Sequence, residues 1–215
     1  MFTLFTMIDS KHRILAHACD LYLADGFDGF SMRKLARAVG VTAPALYRHF
    51  ESKEDVLLEV VGEAHDELFR TLSHALAGPT PEDRFRRAGE AYLDFALANP
   101  RYFQMIHSFT EFMGLDEVPE ELSRRACSVG QFWHDRVREC IEAGILKPDD
   151  PEGIGLVLWA HAYGLISLHI RGLLPFPEEA FRQVYTDSFR RIMRGLATPA
   201  HAETMNGVHG GVKPG

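Results

Sequence analysis

A chain of 215 residues, 46% hydrophobic and 25% charged, is long enough to bury one large core or two smaller ones, and it is too apolar to be intrinsically disordered. Cys19, Cys127 and Cys140 form no Cys-x-x-Cys pair, which excludes a disulfide framework or zinc knot and fits a reducing cytoplasm. The net charge of −7 is unevenly spread: residues 1–53 hold seven Lys/Arg against five Asp/Glu, so the remainder carries −9. A locally basic head on an acidic body still suits nucleic acid, because phosphate attraction is felt within about one Debye length, roughly 8 Å.

Phe2 to Ile8 is apolar but short, and it lacks a basic leader and a cleavage site, so no signal peptide is expected. Met7 is an alternative start that would make the first six residues dispensable. The first helix is expected after Ser10, with Ile14, Ala18 and Leu21/Tyr22 on one face and Gly26 as its stop. Ser31 opens a second, with Leu35, Ala36 and Val39 inward and Gly40 ending it. Thr42 caps a third, very short one that carries Pro44 near its start.

Ser52-Lys-Glu-Asp55 resembles a capping box with Asp for Glu, and Leu57, Val60, Val61, Ala64, Leu68 and Leu72 then recur at helical spacing. Thr80-Pro81 and Asn99-Pro100 are cap-plus-proline starts for two more helices. Leu122, Val129, Trp133, Val137 and Ile141 stripe another, ending near Gly144. Pro151 and Pro177 introduce the last two, up to about Leu196. Ile154 to Ile170 carries no formal charge, but it is short for a span and includes two glycines and two histidines. A buried core or dimer helix is expected there, and no membrane association. The glycine-rich stretch 198–215 is expected to be a disordered tail. The fold class is therefore all-α, with about nine helices.

The head meets the spacing demands of a helix-turn-helix. Ala36 is the small residue where the second helix crosses the first, Gly40 takes the turn four residues later, and Val41 and Leu46 pin the second helix above Leu35 and Val39. The segment Ser31-Met-Arg-Lys-Leu-Ala-Arg-Ala-Val-Gly-Val-Thr-Ala-Pro-Ala-Leu-Tyr-Arg-His-Phe-Glu-Ser-Lys53 strongly resembles the DNA-binding domain of TetR-family regulators. The resemblance reaches back through Ile14, Ala18 and Gly26-Phe27 and forward to Leu57, about the first quarter of the chain. It implies a DNA-binding domain at 8–55, a connecting helix at 52–77 and an effector-binding and dimerisation domain at 78–197.

A recognition helix of about seven residues, Ala43 to His49, would enter the major groove. Arg48 is the candidate for a bidentate guanine contact, and Ala43, Pro44 and Ala45 for apolar contact with a thymine methyl. The resemblance implies backbone contacts from Tyr47 and His49 and a phosphate clamp from Lys53. Ser31, Arg33 and Thr42 are further phosphate candidates. The competing readings are that Ser31 and Thr42 merely cap helices, that Tyr47 and His49 pack inward, and that Arg33, Lys34 and Arg37 form a solvated face.

For the body, the resemblance implies a homodimer joined through the last two long helices. Leu158, Ala162, Leu165, Ile166 and His169 would form the seam, with Gly155 and Gly164 allowing close approach and Val184, Ser188 and Ile192 continuing it. Fifteen Phe, two Trp and six Tyr are more than a small helical core needs. Phe103, His107, Phe109, Phe112, Trp133, His134, Trp159 and Tyr163 are the candidate walls of a pocket for an apolar effector, the alternative being that they simply fill a core. Trp159 is followed by Tyr163-Gly164 where some subgroups of the family carry His-Gly.

Eleven histidines raise the question of a metal, yet there is no Glu-x-x-His, His-Glu-x-x-His, Gly-x-Ser-x-Gly or phosphate-loop motif. His161 and His169, two turns apart, read as a buried or interfacial pair. No cofactor, no metal, no catalytic residue and no enzyme activity is expected. The expected function is a cytoplasmic homodimeric repressor on a palindromic operator, released by a small apolar or aromatic effector. The alternatives are an activator or ligand-independent regulator, or a helical small-molecule-binding protein with a vestigial head.

Overall fold

Caps and apolar stripes dictate where each helix begins and which face it buries. The structure is a computed structural model that describes residues 2–112 and 119–207, with side chains for 11–107 and 119–204. In chain order its helices are α1 (Phe2–Gly29), α2 (Met32–Val39), α3 (Ala43–Leu46), α4 (Lys53–Ser73), α5 (Pro81–Ala98), α6 (Pro100–Phe112), α7 (Glu120–Glu142), α8 (Pro151–Ile170), α9 (Glu178–Leu196) and α10 (Pro199–Gly207), with one 3₁₀ turn at His74–Ala77. The fold is all-α. Among the described residues the one β feature is an isolated antiparallel bridge between Leu146 and Ala197.

The caps account for the boundaries. Ser31 Oγ accepts from the Lys34 amide at 3.3 Å and starts α2. Ser52 Oγ accepts from the Asp55 amide at 3.0 Å while Asp55 reaches back to the Glu51 amide at 3.0 Å, a reciprocal arrangement that starts α4. Thr80 does the same for α5 through the Asp83 amide, at 3.1 Å. The kink in α1 falls at Gly26, whose φ of 69° an L side chain rarely adopts.

By its contacts the chain divides into two compact units. The first comprises Met1–Arg70 and Ala98–Val129, and the second Thr71–Leu97 and Gly130–Gly215. The first is thus larger than the 8–55 segment expected to act as the head. Its core joins Leu15, Ala18 and Tyr22 of α1 to Leu35 of α2, Leu46 of α3, Val56, Leu57 and Val60 of α4 and Met105 of α6. Ion pairs brace this unit: Lys11–Glu59 at 3.0 Å and the pair His12–Glu63 join α1 to α4, the pair Arg101–Asp20 joins α6 to α1, and Arg125–Asp66 at 2.9 Å joins α7 to α4. Periodicity shows that α4 and α6 each have an apolar face, but not that both faces close on the head.

In the second unit Val137 and Cys140 of α7 pack with Ile154 and Leu158 of α8 and with Phe189 and Ile192 of α9. By length and composition α8 would also serve as a membrane-crossing helix. Here its stripe Ile154, Leu158, Ala162 and Ile166 is buried in the unit. The expected tail is not structureless at its start. Thr198 Oγ1 accepts from the His201 amide at 3.4 Å and Pro199 leads α10, the same cap-plus-proline device that starts α5 and α6. Thr198 also donates to the Gly144 carbonyl at 2.7 Å, tying this helix to the end of α7.

Candidate nucleic-acid interface and apolar cavity

The helix-turn-helix is built as its spacing requires. Leu35 and Ala36 are buried beneath the crossing, and Gly40 ends α2 in the left-handed region at φ 80°. The Gly40 and Val41 amides both donate to the Ala36 carbonyl, at 3.0 and 2.9 Å, and turn the chain into α3. Leu46 (1% exposed) and Phe50 (3%) anchor α3 to the core. The regular helix covers Ala43–Leu46, shorter than the expected 43–49. Tyr47 to His49 continue it as a hydrogen-bonded turn, because Phe50 must enter the core at once.

Pro44, Tyr47 and Arg48 are exposed and spaced to share one face, with Tyr47 55% exposed. A large aromatic on the outside of a one-turn helix contributes little to the fold. His49 is also exposed, beside Phe50, while Ala43 and Ala45 are half-buried. Thr42 precedes α3 with an extended backbone, but its side chain makes no cap hydrogen bond, unlike Ser31.

The cations of the head fall into two groups. Lys34 donates to Asp25 at 2.7 Å and to the Gly29 carbonyl at 2.8 Å, so it braces α2. Lys53 lies 3.8 Å above the Phe27 ring and donates to the Phe27 carbonyl at 3.1 Å, which fixes the ammonium at the start of α4. Arg33, Arg37 and Arg48 are exposed, and no carboxylate among the described residues pairs with them.

The second unit encloses a cavity of about 250 Å³. Phe85, Tyr92 and Leu93 of α5, Trp133 and Val137 of α7, Leu158, Trp159 and Ala162 of α8, and Tyr185, Phe189 and Met193 of α9 line it. Trp133 meets Phe85 and Tyr92 edge to face, with centroids 6.4 and 6.2 Å apart. Of the expected pocket residues, Trp133 and Trp159 are in this wall. Phe103 and His107 belong to the other unit, His134 and Tyr163 are half-buried and not part of the lining, and the side chains of Phe109 and Phe112 lie outside the described residues. Sequence reading passed over Tyr185 and Phe189, which stood within the stripe of α9. His201 of α10, expected in the tail, also reaches the cavity.

The expected seam is corrected in the same way. Leu158, Ala162 and Ile166 are buried within this chain, and Leu158 and Ala162 face the cavity. His169 stacks on Phe181 with centroids 3.9 Å apart, and Ser188 is hydrogen-bonded to His161 at 2.9 Å. Leu165 and Val184 are half-buried, and Ile192 packs on the core of α7 to α9. A helix that is apolar all round gives no period from which to read its inner face. The apolar residues left outside on α8 are Leu156, Val157, Trp159, Ala160 and Leu168, so Trp159 both lines the cavity and is exposed.

Cys19 and Cys140 are buried free thiols, pushed up to about 12 by desolvation, and Cys127 is exposed and free. No cluster of three or more potential metal ligands occurs among the described residues. His107 of α6 sits against Phe103 with ring centroids 4.6 Å apart. Burial, reinforced by the charge of His65, lowers its pKa to about 4. The unfolded chain, near 6.5, therefore binds a proton that the native state refuses. The stability this gives is complete above about pH 6.5 and is lost as the pH falls toward 4. Native stability is expected to drop by about 2 kcal/mol across that window through this group, and His107→Leu should remove that part of the slope in urea titrations at pH 7 and 4.5.

An all-helical chain with an ordered helix-turn-helix and an unpaired basic, aromatic face on its second helix defines a DNA-binding transcription regulator of the helix-turn-helix class. The family model of the bacterial regulatory proteins of the TetR family matches residues 14–60, and the tetracyclin repressor-like C-terminal domain matches residues 85–196. The chain belongs to the TetR family. It is 29% identical over 99 residues to the HTH-type transcriptional activator FasR of Mycolicibacterium smegmatis, spanning 46% of this chain and 45% of that one. It is 25% identical over 142 residues to the HTH-type transcriptional repressor KstR2 of the same organism, spanning 65% and 68%. A TetR-family transcription regulator from Marinobacter aquaeolei VT8 shares the fold with a TM-score of 0.70 at 21% identity, covering 89% of this chain and 98% of that one. Family and relatives are regulators of transcription, not enzymes.

Proposed function

We propose that the chain is a cytoplasmic homodimeric repressor that reads a palindromic operator through two copies of α3 and is released by a small effector bound in the second unit. The observation that carries the reading is the exposed face of Pro44, Tyr47 and Arg48, held rigid by buried Leu46 and Phe50. Arg48 reaches a base edge, and Pro44, with Ala43 and Ala45, meets a thymine methyl. Tyr47 and His49 contact the backbone. Arg33, the uncapped Thr42 hydroxyl, Ser31 and the Lys53 ammonium hold phosphates and set the register. One turn of helix reads too few bases to hold a site alone, so two copies related by a two-fold axis are needed.

The dimer reading rests on α8. Leu156, Val157, Ala160 and Leu168 form an exposed apolar strip whose small residues Ala160 and Gly164 admit a second helix closely. The effector reading rests on the aromatic cavity. The effector acts by binding better to the state whose heads are wrongly spaced, and α4, continuous from the head to the 3₁₀ turn, is the lever.

Binding of the purified protein to the DNA flanking its own gene tests this, by fluorescence anisotropy across a salt series. Affinity in the nanomolar range that falls steeply with salt is expected, and addition of the effector weakens it. An effector that tightens binding instead would mark an activator or co-repressed regulator. Weak binding without sequence preference from a folded dimer would overturn the proposal.

A further inference from the structure

The last helix, α10, is attached to the second unit unevenly. Its root is fixed several times over. The Lys147 amide donates to the Leu196 carbonyl at 2.9 Å and the Thr198 amide to the Ile145 carbonyl at 3.0 Å, either side of the bridge between Leu146 and Ala197. Thr198 Oγ1 adds the bond to the Gly144 carbonyl at 2.7 Å. Past the root the hold is slight. His201, in the first turn of α10, lines the cavity, and its Nε2 stands 3.2 Å from Glu82 Oε1 of α5. A carboxylate only accepts, so Nε2 carries a proton and donates. Glu82 also lines the cavity, and its side chain is 57% exposed, which places it at the rim. Among the described residues this is the one polar side-chain link from α10 to another helix. Glu203 and Thr204 beyond it are exposed, and Thr204 donates back to the His201 carbonyl at 2.6 Å.

A helix of nine residues has little stability of its own, and a terminal one held at its root and by one side chain is the first element to open. α10 also lies past residue 196, where the match to the tetracyclin repressor-like C-terminal domain ends. Taking the cavity to be the effector site as proposed above, we infer that α10 is a hinged cover at its rim, latched by His201 on Glu82, that governs how fast an effector enters and leaves. The hinge falls after Thr198, the last residue tied to the turn at Gly144. A cover that closes over the empty and the filled cavity alike slows entry and exit by the same factor and leaves affinity unchanged. A wall residue that merely touches the occupant changes exit and affinity together.

The probe is Prodan, an uncharged two-ring fluorophore that absorbs where tryptophan emits. A cavity of roughly 150 Å³ holds one benzene ring, and this one is about 250 Å³. Both tryptophans of the chain line the cavity, so energy transfer to Prodan in a stopped-flow mixer reports filling and emptying of that site. His201→Ala and Glu82→Gln are each expected to speed association and dissociation alike, about two- to fivefold, the range of one part-exposed ion pair, with affinity kept within about twofold. The double variant should go no faster than either single one. Ala202→Pro removes the amide that donates to the Thr198 carbonyl at 2.9 Å, and so unwinds α10 with His201 still in the chain. It should speed both rates at least about tenfold and leave the melting temperature unchanged.

Rates unchanged in all three variants, a change confined to dissociation and affinity, or single effects that add in the double variant overturns the inference while leaving the cavity as a ligand site. Gly89→Leu grows into the cavity from a position where an added Cβ meets nothing within 4 Å, and it should abolish the energy transfer. No transfer in the parent protein, or transfer indifferent to Gly89→Leu, removes the cavity reading and the inference with it.

Discussion

Replacing Tyr47 and Arg48 together by alanine is expected to lower operator affinity at least about a hundredfold and leave the folded stability unchanged. Both side chains are exposed, Arg48 pairs with no carboxylate among the described residues, and surface substitutions of this kind stay within about ±0.5 kcal/mol of the parent. On DNA the balance reverses. A bidentate arginine–guanine contact discriminates by roughly 1–3 kcal/mol, and a two-fold dimer loses it twice. Arg48→Ala alone should also relax specificity at one base pair of each half-site, whereas Arg33→Ala should weaken all sequences about equally and flatten the salt slope. Anisotropy titrations against the operator and single-base variants, with urea unfolding of the same samples, separate these outcomes. Affinity retained within threefold would move the interface away from α3.

Leu46→Ala is expected to cost about 2–5 kcal/mol of stability, and DNA binding should fall with it. Leu46 is 1% exposed at the last position of a four-residue helix. So short a segment has no helical stability of its own, and its order comes from burial. The hydrogen bonds from the Tyr47 amide to Ala43 and from the Phe50 amide to Leu46, at 3.1 and 3.0 Å, persist while Leu46 and Phe50 hold both ends. The paired result is diagnostic. The exposed double variant changes recognition without stability, and the buried single variant changes both. Urea midpoints at fixed protein concentration give the measurement, since dimerisation would otherwise shift them. An unchanged midpoint would mean that α3 is held by something other than Leu46.

Local chemistry was the legible part of this sequence. Ser31, Ser52 and Thr80 cap helices and Gly40 ends α2 where expected, because each device acts within four residues, whereas Gly26, expected to stop α1, only kinks it and the helix runs on to Gly29. The helix-turn-helix is local too, so Ala36, Gly40 and Leu46 carried it. Thr198-Pro199 used the same signal but was overshadowed by the glycines after it.

Faces of helices were less legible. In α8 both sides are apolar, and the residues expected at a seam, Leu158, Ala162 and Ile166, instead fill the inside of the unit. The cavity depends on which of fifteen phenylalanines and six tyrosines converge from α5, α7, α8 and α9. That is long-range packing, to which periodicity is blind. Phe103 and His107 were aromatic and correctly placed on a helix, yet α6 closes on the head rather than on the cavity.

The most direct test of the central claim is a hydroxyl-radical footprint of the protein on the DNA flanking its gene. The account predicts two protected half-sites of a palindrome, with centres about 34–36 Å apart or a multiple of that along one face of the duplex, and loss of both in the Tyr47/Arg48 double variant. Uniform protection, a single half-site, or a footprint unchanged in that variant would contradict it.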